Sequence, residues 1–267
     1  MTVGQYLSQA TLLLDKAKIE SARLDVLVLL EDTLDKNRAH LLAHPELELS
    51  DAQLTHLDRA LARRKRHVPL AYIRGKAEFY GRNFVVNEHV LVPRPETESI
   101  IELVKTLHLP AGSHVLDLGC GSGAIGVTTA LELPELDIIL SDIDTDALAV
   151  AHKNAQRHNA SVQYMQADLL GDTPKHYDCI LANLPYVPEG YPINTAATYE
   201  PKLALFAGSD GLDLYRRLFA VPQNARPAYI ITEALEPQHQ PLAAIAKTAR
   251  YSLARSSGLA QLFVRSD

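Results

Sequence analysis

The amino-acid sequence predicts an α/β fold with a mostly parallel, seven-stranded, Rossmann-like sheet, preceded by a small all-helical domain and a β-hairpin linker. Helical and strand patterns alternate from about residue 96 onwards, which is typical of parallel strands joined by right-handed crossovers. A short apolar strand also runs into three alternating glycines, and the first residues have only helical periodicity. The expected domains are 1–68, a hairpin linker 69–94 and a larger domain 95–267.

The first domain shows its helical character best in its last helix. Ser50 and Gln53 have the spacing of a capping box, and the leucines that follow fall on one helical face. A basic cluster at 63–67 ends this helix. It has two interpretations, namely cations at a helix terminus that face water, or a contact surface for an acidic protein or RNA.

The linker reads as two apolar stretches around a turn, Phe79-Tyr80-Gly81 and Phe84-Val85-Val86. Pro93-Arg94-Pro95 then leads into the larger domain. Arg94 is a candidate for contact with a substrate, and the alternative is an arginine that only begins a helix. The hairpin is therefore expected to join the two domains.

A glycine-rich turn follows the first strand of the larger domain, as Gly119-Cys120-Gly121-Ser122-Gly123. Glycine permits unusual φ values and lets a ligand approach the backbone, so this pattern is typical of a nucleotide-cofactor site. With Gly126 it also fits the dinucleotide fingerprint G-x-G-x-x-G. The turn alone therefore leaves the class of cofactor open.

Acidic residues near the strand ends bear on that choice. Asp142 suits a ribose diol, whether of adenosylmethionine or of a dinucleotide. Asp117, two residues before the first glycine, favours a cofactor with an ammonium group and a sulfonium but no phosphates, although it could merely cap the turn. Asp168 could accept from an adenine amino group while Leu169 packs on the ring, and the alternative is an exposed loop acid.

Asn183-Leu184-Pro185-Tyr186 follows the apolar run at 177–182 and is suited to holding a planar nitrogen. Asn183 offers a side-chain carbonyl and Leu184 a backbone carbonyl, while Pro185 stiffens the turn and Tyr186 supplies a flat face. Taken alone, four such residues are most often a strand end followed by a turn.

The irregular segment from Pro185 to Gly211 is a candidate substrate clamp, because long loops beside active sites often carry function. Glu200, within it, could orient the target or anchor the loop.

The composition limits the classes of function that need to be considered. The chain has 267 residues, 47% of them hydrophobic, two cysteines and a formal net charge of −6. No metal-ligand spacing and no membrane span occur in it, so a metal-free cytoplasmic protein is expected.

Four stretches together resemble the release-factor glutamine methyltransferase family of class I adenosylmethionine-dependent methyltransferases, over nearly the whole length. These stretches are the glycine turn, Leu91-Val92-Pro93-Arg94-Pro95-Glu96-Thr97-Glu98, Glu200-Pro201 followed by Ala204-Leu205-Phe206-Ala207-Gly208-Ser209-Asp210-Gly211-Leu212, and Ala22-Arg23-Leu24-Asp25-Val26-Leu27-Val28-Leu29-Leu30. One departure stands out, because the family usually has two prolines after the asparagine, and Leu184 replaces the first.

The resemblance implies transfer of a methyl group from S-adenosylmethionine to the side-chain amide nitrogen of the glutamine in the Gly-Gly-Gln motif of peptide chain release factors. It implies catalysis by the Asn183–Tyr186 turn, with Arg94 and Glu200 as further substrate contacts. The cofactor contacts would come from Asp117, the glycine turn, Asp142, Asp168, Leu169 and Asn183. The helical domain would engage the protein substrate, and we expect a monomer.

Other functions compete with this one. An adenine-type DNA or RNA methyltransferase presents a similar loop to a flipped base, but the negative net charge and single basic cluster disfavour a nucleic-acid substrate. The sister family that methylates a ribosomal protein glutamine is a less favoured alternative than the adenine-type enzyme, because the resemblance of the helical domain favours release factors. A dinucleotide-dependent oxidoreductase leaves Asn183–Tyr186 without a task, and a non-catalytic adaptor is supported only by Leu184.

Overall fold

The structure is a computed structural model that describes residues 1–171, 176–220 and 226–266. The chain divides into two compact units. The smaller comprises Met1–Gly75 with Asn194–Tyr199, and the larger comprises the rest. Residue 267, the end of the expected larger domain, lies outside the described residues.

The boundary between the units falls after Gly75, later in the chain than the expected boundary at residue 68. The short helix Leu70–Arg74 causes the difference, because its residues Leu70 and Ile73 pack against the apolar core of the smaller unit. Gly75 then ends that helix in the left-handed conformation, which glycine adopts without strain. The hairpin that follows belongs to the larger unit.

The smaller unit is helical in its described residues, as predicted. Its helices are α1 (Val3–Lys16), α2 (Ala22–Leu34), α3 (Arg38–Ala43), α4 (Asp51–Lys65) and α5 (Leu70–Arg74). Ser50 and Gln53 form the predicted capping box at the start of α4, and Leu57 and Leu61 are buried in the core. Within the basic cluster, Arg64 forms a buried ion pair with Asp25 at 2.6 Å, so this cation stabilises the unit.

The predicted hairpin consists of β1 (Lys76–Phe79) and β2 (Arg82–Val85). Its two-residue turn, Tyr80-Gly81, has positive φ at both residues, 52° and 70°, as the tight turns of twisted hairpins require. Phe79 and Phe84 are buried and meet edge to face, with ring centroids 6.1 Å apart. The hairpin thus contributes its apolar face to the core of the larger unit.

The described residues of the larger unit contain a seven-stranded, mostly parallel sheet, which confirms the predicted fold class. The strands are β3 (His114–Leu118), β4 (Asp137–Asp142), β5 (Gln163–Gln166), β6 (Cys179–Ala182), β7 (Tyr229–Glu233), β8 (Tyr251–Ser257) and β9 (Ala260–Arg265). Their order is β5-β4-β3-β6-β7-β9-β8, and only β9 pairs antiparallel, with β7 and with β8.

Helices cover both faces of this sheet because successive strand residues point to opposite sides. The helices are α6 (Glu98–Lys105), α7 (Ala124–Glu132), α8 (Thr145–His158), α9 (Asp213–Phe219) and α10 (His239–Thr248). Val115 and Leu140 join the core beneath α6, α7 and α8, whereas Leu116 and Ile139 join the core beneath α9 and α10. The core side chains on both faces of the sheet are buried.

The strand order places a crevice between β3 and β6. From β3 the chain moves to β4 and β5 on one side, and then returns to β6 on the other. In open α/β sheets, ligands bind outside the carboxyl ends of the strands at such a reversal. The ends of β3, β4, β6 and β7 therefore position the candidate site.

Candidate active site

A pocket of about 470 Å³ opens at the carboxyl ends of these strands. Its walls include apolar side chains of the larger unit together with polar groups from several strand ends. The predicted site residues that line it are Arg94, Gly119, Cys120, Gly121, Ser122, Asp142, Asp168, Leu169, Asn183, Leu184 and Pro185. Asp117, Gly123, Tyr186 and Glu200 do not line it.

The glycine turn has the predicted backbone geometry. Gly119, Gly121 and Gly123 have φ values of 70°, 52° and 76°, in the left-handed region that favours glycine. A Cβ on Gly121 would meet no atom within 4 Å, so this residue exposes its backbone to the pocket. The turn therefore leaves room for a ligand to approach the main chain closely.

Asp142 supports the turn from the end of β4. Its carboxylate accepts the Gly121 N–H at 2.8 Å and the Asp144 N–H at 3.0 Å. Burial raises the pKa of Asp142, and these backbone donors act in the opposite direction. The residue both orients the glycine turn and borders the pocket, where its position suits the predicted contact with a ribose diol.

Asp117 lies behind the turn and is completely buried. Its Oδ2 accepts the Gly126 N–H at 2.8 Å, whereas its Oδ1 has no hydrogen-bond partner among the described residues. Burial raises the pKa of Asp117 to about 7. Gly123 likewise packs inward, because a Cβ there would lie 3.0 Å from Ala151. Direct contact of either residue with a cofactor stays a prediction.

Asp168 and Leu169 border another part of the pocket. Asp168 is half exposed and pairs with Arg217, whose Nη2 donates to its Oδ2 at 2.8 Å. Arg217, on α9, also lines the pocket, and the sequence did not single it out. The carboxylate of Asp168 is thus oriented by a cation that lies 49 residues away in the chain.

The Asn183–Tyr186 turn begins directly after β6. Asn183 Nδ2 donates to the Thr97 hydroxyl at 3.2 Å, which leaves the side-chain carbonyl available as an acceptor. Leu184 is 3% exposed and reaches towards the glycine turn, so a Cβ on Gly119 would lie 3.1 Å from its Cδ2. The leucine therefore packs against the same backbone that forms the cofactor turn.

Tyr186 does not line the pocket. Its hydroxyl donates to Glu233 Oε1 at 3.0 Å, and burial raises its pKa. Its carbonyl accepts from Gln238 Nε2 at 2.7 Å, and the same nitrogen donates to the Asp210 carbonyl at 2.7 Å. Tyr186 therefore holds the turn in place, and its stacking on a substrate stays a prediction.

Glu200 anchors the long loop. It is buried, accepts the Val92 N–H at 3.2 Å and pairs with Arg94. Its carboxylate is engaged by the segment before α6, as an anchoring role requires, and orientation of the target by Glu200 stays a prediction. Arg94 itself lines the pocket, and its contact with a substrate stays a prediction.

Three residues of this site, namely Thr97, Glu233 and Gln238, were not among the predicted site residues. Glu233 ends β7 as Asp142 ends β4, so the rule that ligand sites form at strand ends could have found it. Thr97 and Gln238 have no comparable signal. Both lie at helix starts, and each acts on a turn that is distant in the sequence.

Other ionisable groups add little to the site. Burial raises the pKa of both cysteine thiols, Cys120 at the pocket and Cys179 in β6, which disfavours the reactive thiolate. In the described ranges, no cluster of three or more His, Cys, Asp or Glu side chains could hold a metal ion. Within the same ranges, every helix is too short or too polar to cross a membrane.

Known proteins resemble both parts of the chain. Residues 5–75 match the family described as PrmC N-terminal domain, and residues 100–200 match the Methyltransferase small domain. A release factor glutamine methyltransferase of Koribacter versatilis (strain Ellin345) is 39% identical over 224 residues, covering 82% of this chain and 80% of that protein. A bifunctional methyltransferase of Rickettsia bellii (strain RML369-C) is 33% identical over 260 residues, covering 84% of this chain and 46% of that protein.

A solved structure resembles the chain in fold. The hMettl16 catalytic domain in complex with MAT2A 3′UTR hairpin 6 superposes with a TM-score of 0.54 at 15% sequence identity. The match covers 82% of this chain and 83% of that one. At this identity the likeness concerns the fold alone.

Proposed function

The chain belongs to the release factor glutamine methyltransferase family, and from that membership we propose that it methylates the side-chain amide nitrogen, N5, of the glutamine in the Gly-Gly-Gln motif of peptide chain release factors. S-adenosylmethionine is the methyl donor. The observation that supports this reaction best is the Asn183–Leu184 turn, which borders the pocket beside the glycine turn.

The residues of the pocket fit this cofactor. Asp142, at the end of β4, would accept from the ribose hydroxyls, and Asp168 with Leu169 would hold the adenine. The open backbone at Gly121 would take the amino-acid part of the cofactor. When bound, S-adenosylmethionine supplies an electrophilic methyl group on a sulfonium, so the protein need not form a covalent intermediate.

Catalysis by this chain consists chiefly of placing the acceptor nitrogen. An amide nitrogen is a poor nucleophile because its lone pair is delocalised. The Asn183 side-chain carbonyl and the Leu184 backbone carbonyl would each accept one amide proton of the substrate. As the nitrogen becomes positive in the transition state, both acceptors bind it more strongly, which lowers the barrier. The excess proton can leave to water after transfer.

The finer features of this function are also proposals. The helical unit would recognise the release factor, with Arg94 contributing from the pocket wall. The enzyme would act as a monomer in the cytoplasm, where release factors work. The formal net charge of −6 argues against a nucleic-acid substrate.

Incubation with labelled S-adenosylmethionine tests this proposal. Separate reactions receive a release factor, the same factor with its Gly-Gly-Gln glutamine replaced by alanine, a ribosomal protein fraction, and DNA or RNA. Label should enter the unaltered release factor only. Label on nucleic acid alone would establish the adenine-type reaction instead, and cofactor binding without any transfer would indicate an adaptor.

A further inference from the structure

Two buried side chains adjoin the amide of Asn183 and play no part in the mechanism above. Thr97, just before α6, is 3% exposed, and Glu233, at the end of β7, is 1% exposed. Asn183 Nδ2 donates to Thr97 Oγ1 at 3.2 Å, and the Tyr186 hydroxyl donates to Glu233 Oε1 at 3.0 Å. Both ends of the Asn183–Tyr186 turn are thereby tied to these two residues.

Glu233 acts as a hydrogen-bond acceptor beside the Asn183–Tyr186 turn. Its Oε2 has no partner with good hydrogen-bond geometry among the described residues. Burial raises the pKa of Glu233, but the Thr97 hydroxyl, the Tyr186 hydroxyl and the Asn183 amide are close enough to oppose that rise. In its ionised form this carboxylate can only accept, and it then draws the protons of neighbouring hydroxyls towards itself.

The acceptor role of Glu233 sets the direction in which the Thr97 hydroxyl donates its proton. A threonine hydroxyl carries one proton, and when that proton turns to Glu233 the oxygen lone pairs face Asn183. Asn183 must then present its NH₂ group to Thr97, as the structure shows. Its side-chain carbonyl is left for the substrate.

The opposite orientation of the Asn183 amide would disable the site. Its carbonyl would take the Thr97 proton away from Glu233, and its NH₂ group would meet the NH₂ group of the substrate. Two donors would then face each other where the reaction needs an acceptor. The chemistry therefore depends on which way this amide points.

We propose that Thr97 and Glu233 are positioning residues that fix the Asn183 amide with its carbonyl towards the acceptor nitrogen. This inference rests on the proposed function, because it assigns a cause to the acceptor geometry used there. Thr97 lines the pocket and Glu233 does not, and in this proposal neither acts on the methyl group directly. Their effect passes through Asn183.

Substitutions at Thr97 test the first link. Thr97→Val keeps the shape but removes the hydroxyl, and we expect kcat for the release factor to fall about 10²-fold, as for loss of one transition-state acceptor. Thr97→Ser should restore most of the rate. The matched control is Thr232→Val, since Thr232 is equally buried, precedes Glu233 and has an unpartnered hydroxyl in the described structure.

Glu233→Gln tests the second link. Glutamine can still accept from Tyr186, but its NH₂ group would donate to Thr97 and turn the threonine proton towards Asn183. This reversal should lower kcat by the same factor as Thr97→Val. The double variant, with both substitutions, should be no slower than either single variant. Independent roles would instead give losses that multiply.

Affinity for S-adenosylhomocysteine and the melting temperature are measured on every variant, and only kcat should fall. The inference is overturned if Thr97→Val retains the wild-type kcat, or if Thr97→Ser is as slow as Thr97→Val. It is also overturned if the two losses multiply. A wild-type enzyme that labels no release factor would instead contradict the proposed function, so the two failures are distinct.

Discussion

At the scale of single residues, the site depends on oxygen atoms placed by the end of β6. Asn183 supplies a side-chain carbonyl, while Leu184 supplies a backbone carbonyl that survives whichever residue occupies the position. The two contributions can therefore be separated by substitution, because only the first is removed with a side chain. The predictions at this scale follow from that difference.

Asn183→Ala should lower kcat about 10²-fold or more, because one acceptor for the developing ammonium is lost. Affinity for S-adenosylhomocysteine should stay within a few-fold of wild type, because the glycine turn and Asp142 are unchanged. Single-turnover transfer and calorimetric titration measure the two quantities. A parallel loss of both would contradict the role of Asn183 as an acceptor for the substrate.

Leu184→Pro should keep kcat within a few-fold of wild type, since the carbonyl remains and proline matches the usual family pattern. A hydrogen bond from the Leu184 backbone N–H opposes the rise that burial causes in the pKa of the Tyr215 hydroxyl. The variant loses this N–H and the contact with Gly119, so its melting temperature should fall. A rate as low as that of Asn183→Ala would show that the leucine itself takes part in transfer.

Asp117 should make stability depend on pH. Its pKa rises from 3.8 in the unfolded chain to about 7 in the fold, so folding takes up a proton between these values. The free energy of unfolding should therefore fall as pH rises from about 4 to 7 and level off above that range.

Asp117→Asn should reduce this slope, as measured by denaturant unfolding at several pH values. An unchanged slope in Asp117→Asn would mean that the buried carboxyl does not titrate in this window.

At the scale of elements, the Asn183–Tyr186 turn is held from the start of α10. Gln238 bridges the carbonyls of Tyr186 and Asp210, and it is 6% exposed. Gly211 permits this approach, because a Cβ there would lie 2.0 Å from the Tyr186 carbonyl oxygen. The loop and the turn are therefore joined through one buried amide.

Gln238→Ala should remove the shared donor of the Tyr186 and Asp210 carbonyls and destabilise the protein by about 1 kcal/mol, the usual net contribution of a hydrogen bond. It should also lower kcat, because the turn that carries the acceptors loses its support. Chemical denaturation and the transfer assay measure both effects. Gln53→Ala, which removes an exposed capping amide of α4, is the control and should leave kcat unchanged. Full activity in Gln238→Ala would show that the turn is rigid without this support.

The sheet, the hairpin and the strand-end residues that line the pocket could be predicted from the sequence, because each of these features has a local sequence pattern. The strands β3, β4 and β6 are apolar runs, and their ends carry the residues that line the pocket. Thr97 and Gln238 could not be assigned in this way, since each contacts the Asn183–Tyr186 turn across 52 or more residues. Such pairings arise only when the strands are ordered in the sheet.

At the scale of the whole molecule, the tasks divide between the two units. All pocket-lining residues belong to the larger unit. The smaller unit has its own core and a buried ion pair between Arg64 and Asp25. Cofactor binding should therefore depend on the larger unit, whereas the smaller unit is proposed to recognise the protein substrate.

Arg64→Ala tests this division, because it leaves the buried Asp25 carboxylate without its cation. Loss of one partner of a buried pair costs about 3 kcal/mol, so the smaller unit should unfold at a lower temperature. Below that temperature, affinity for S-adenosylhomocysteine should equal that of wild type. Above it, methylation of the release factor should fail while the cofactor still binds.

Arg63→Ala, its neighbour in the basic cluster, controls for loss of charge alone. Cofactor affinity that falls together with the fold of the smaller unit would show that the two tasks are not separable.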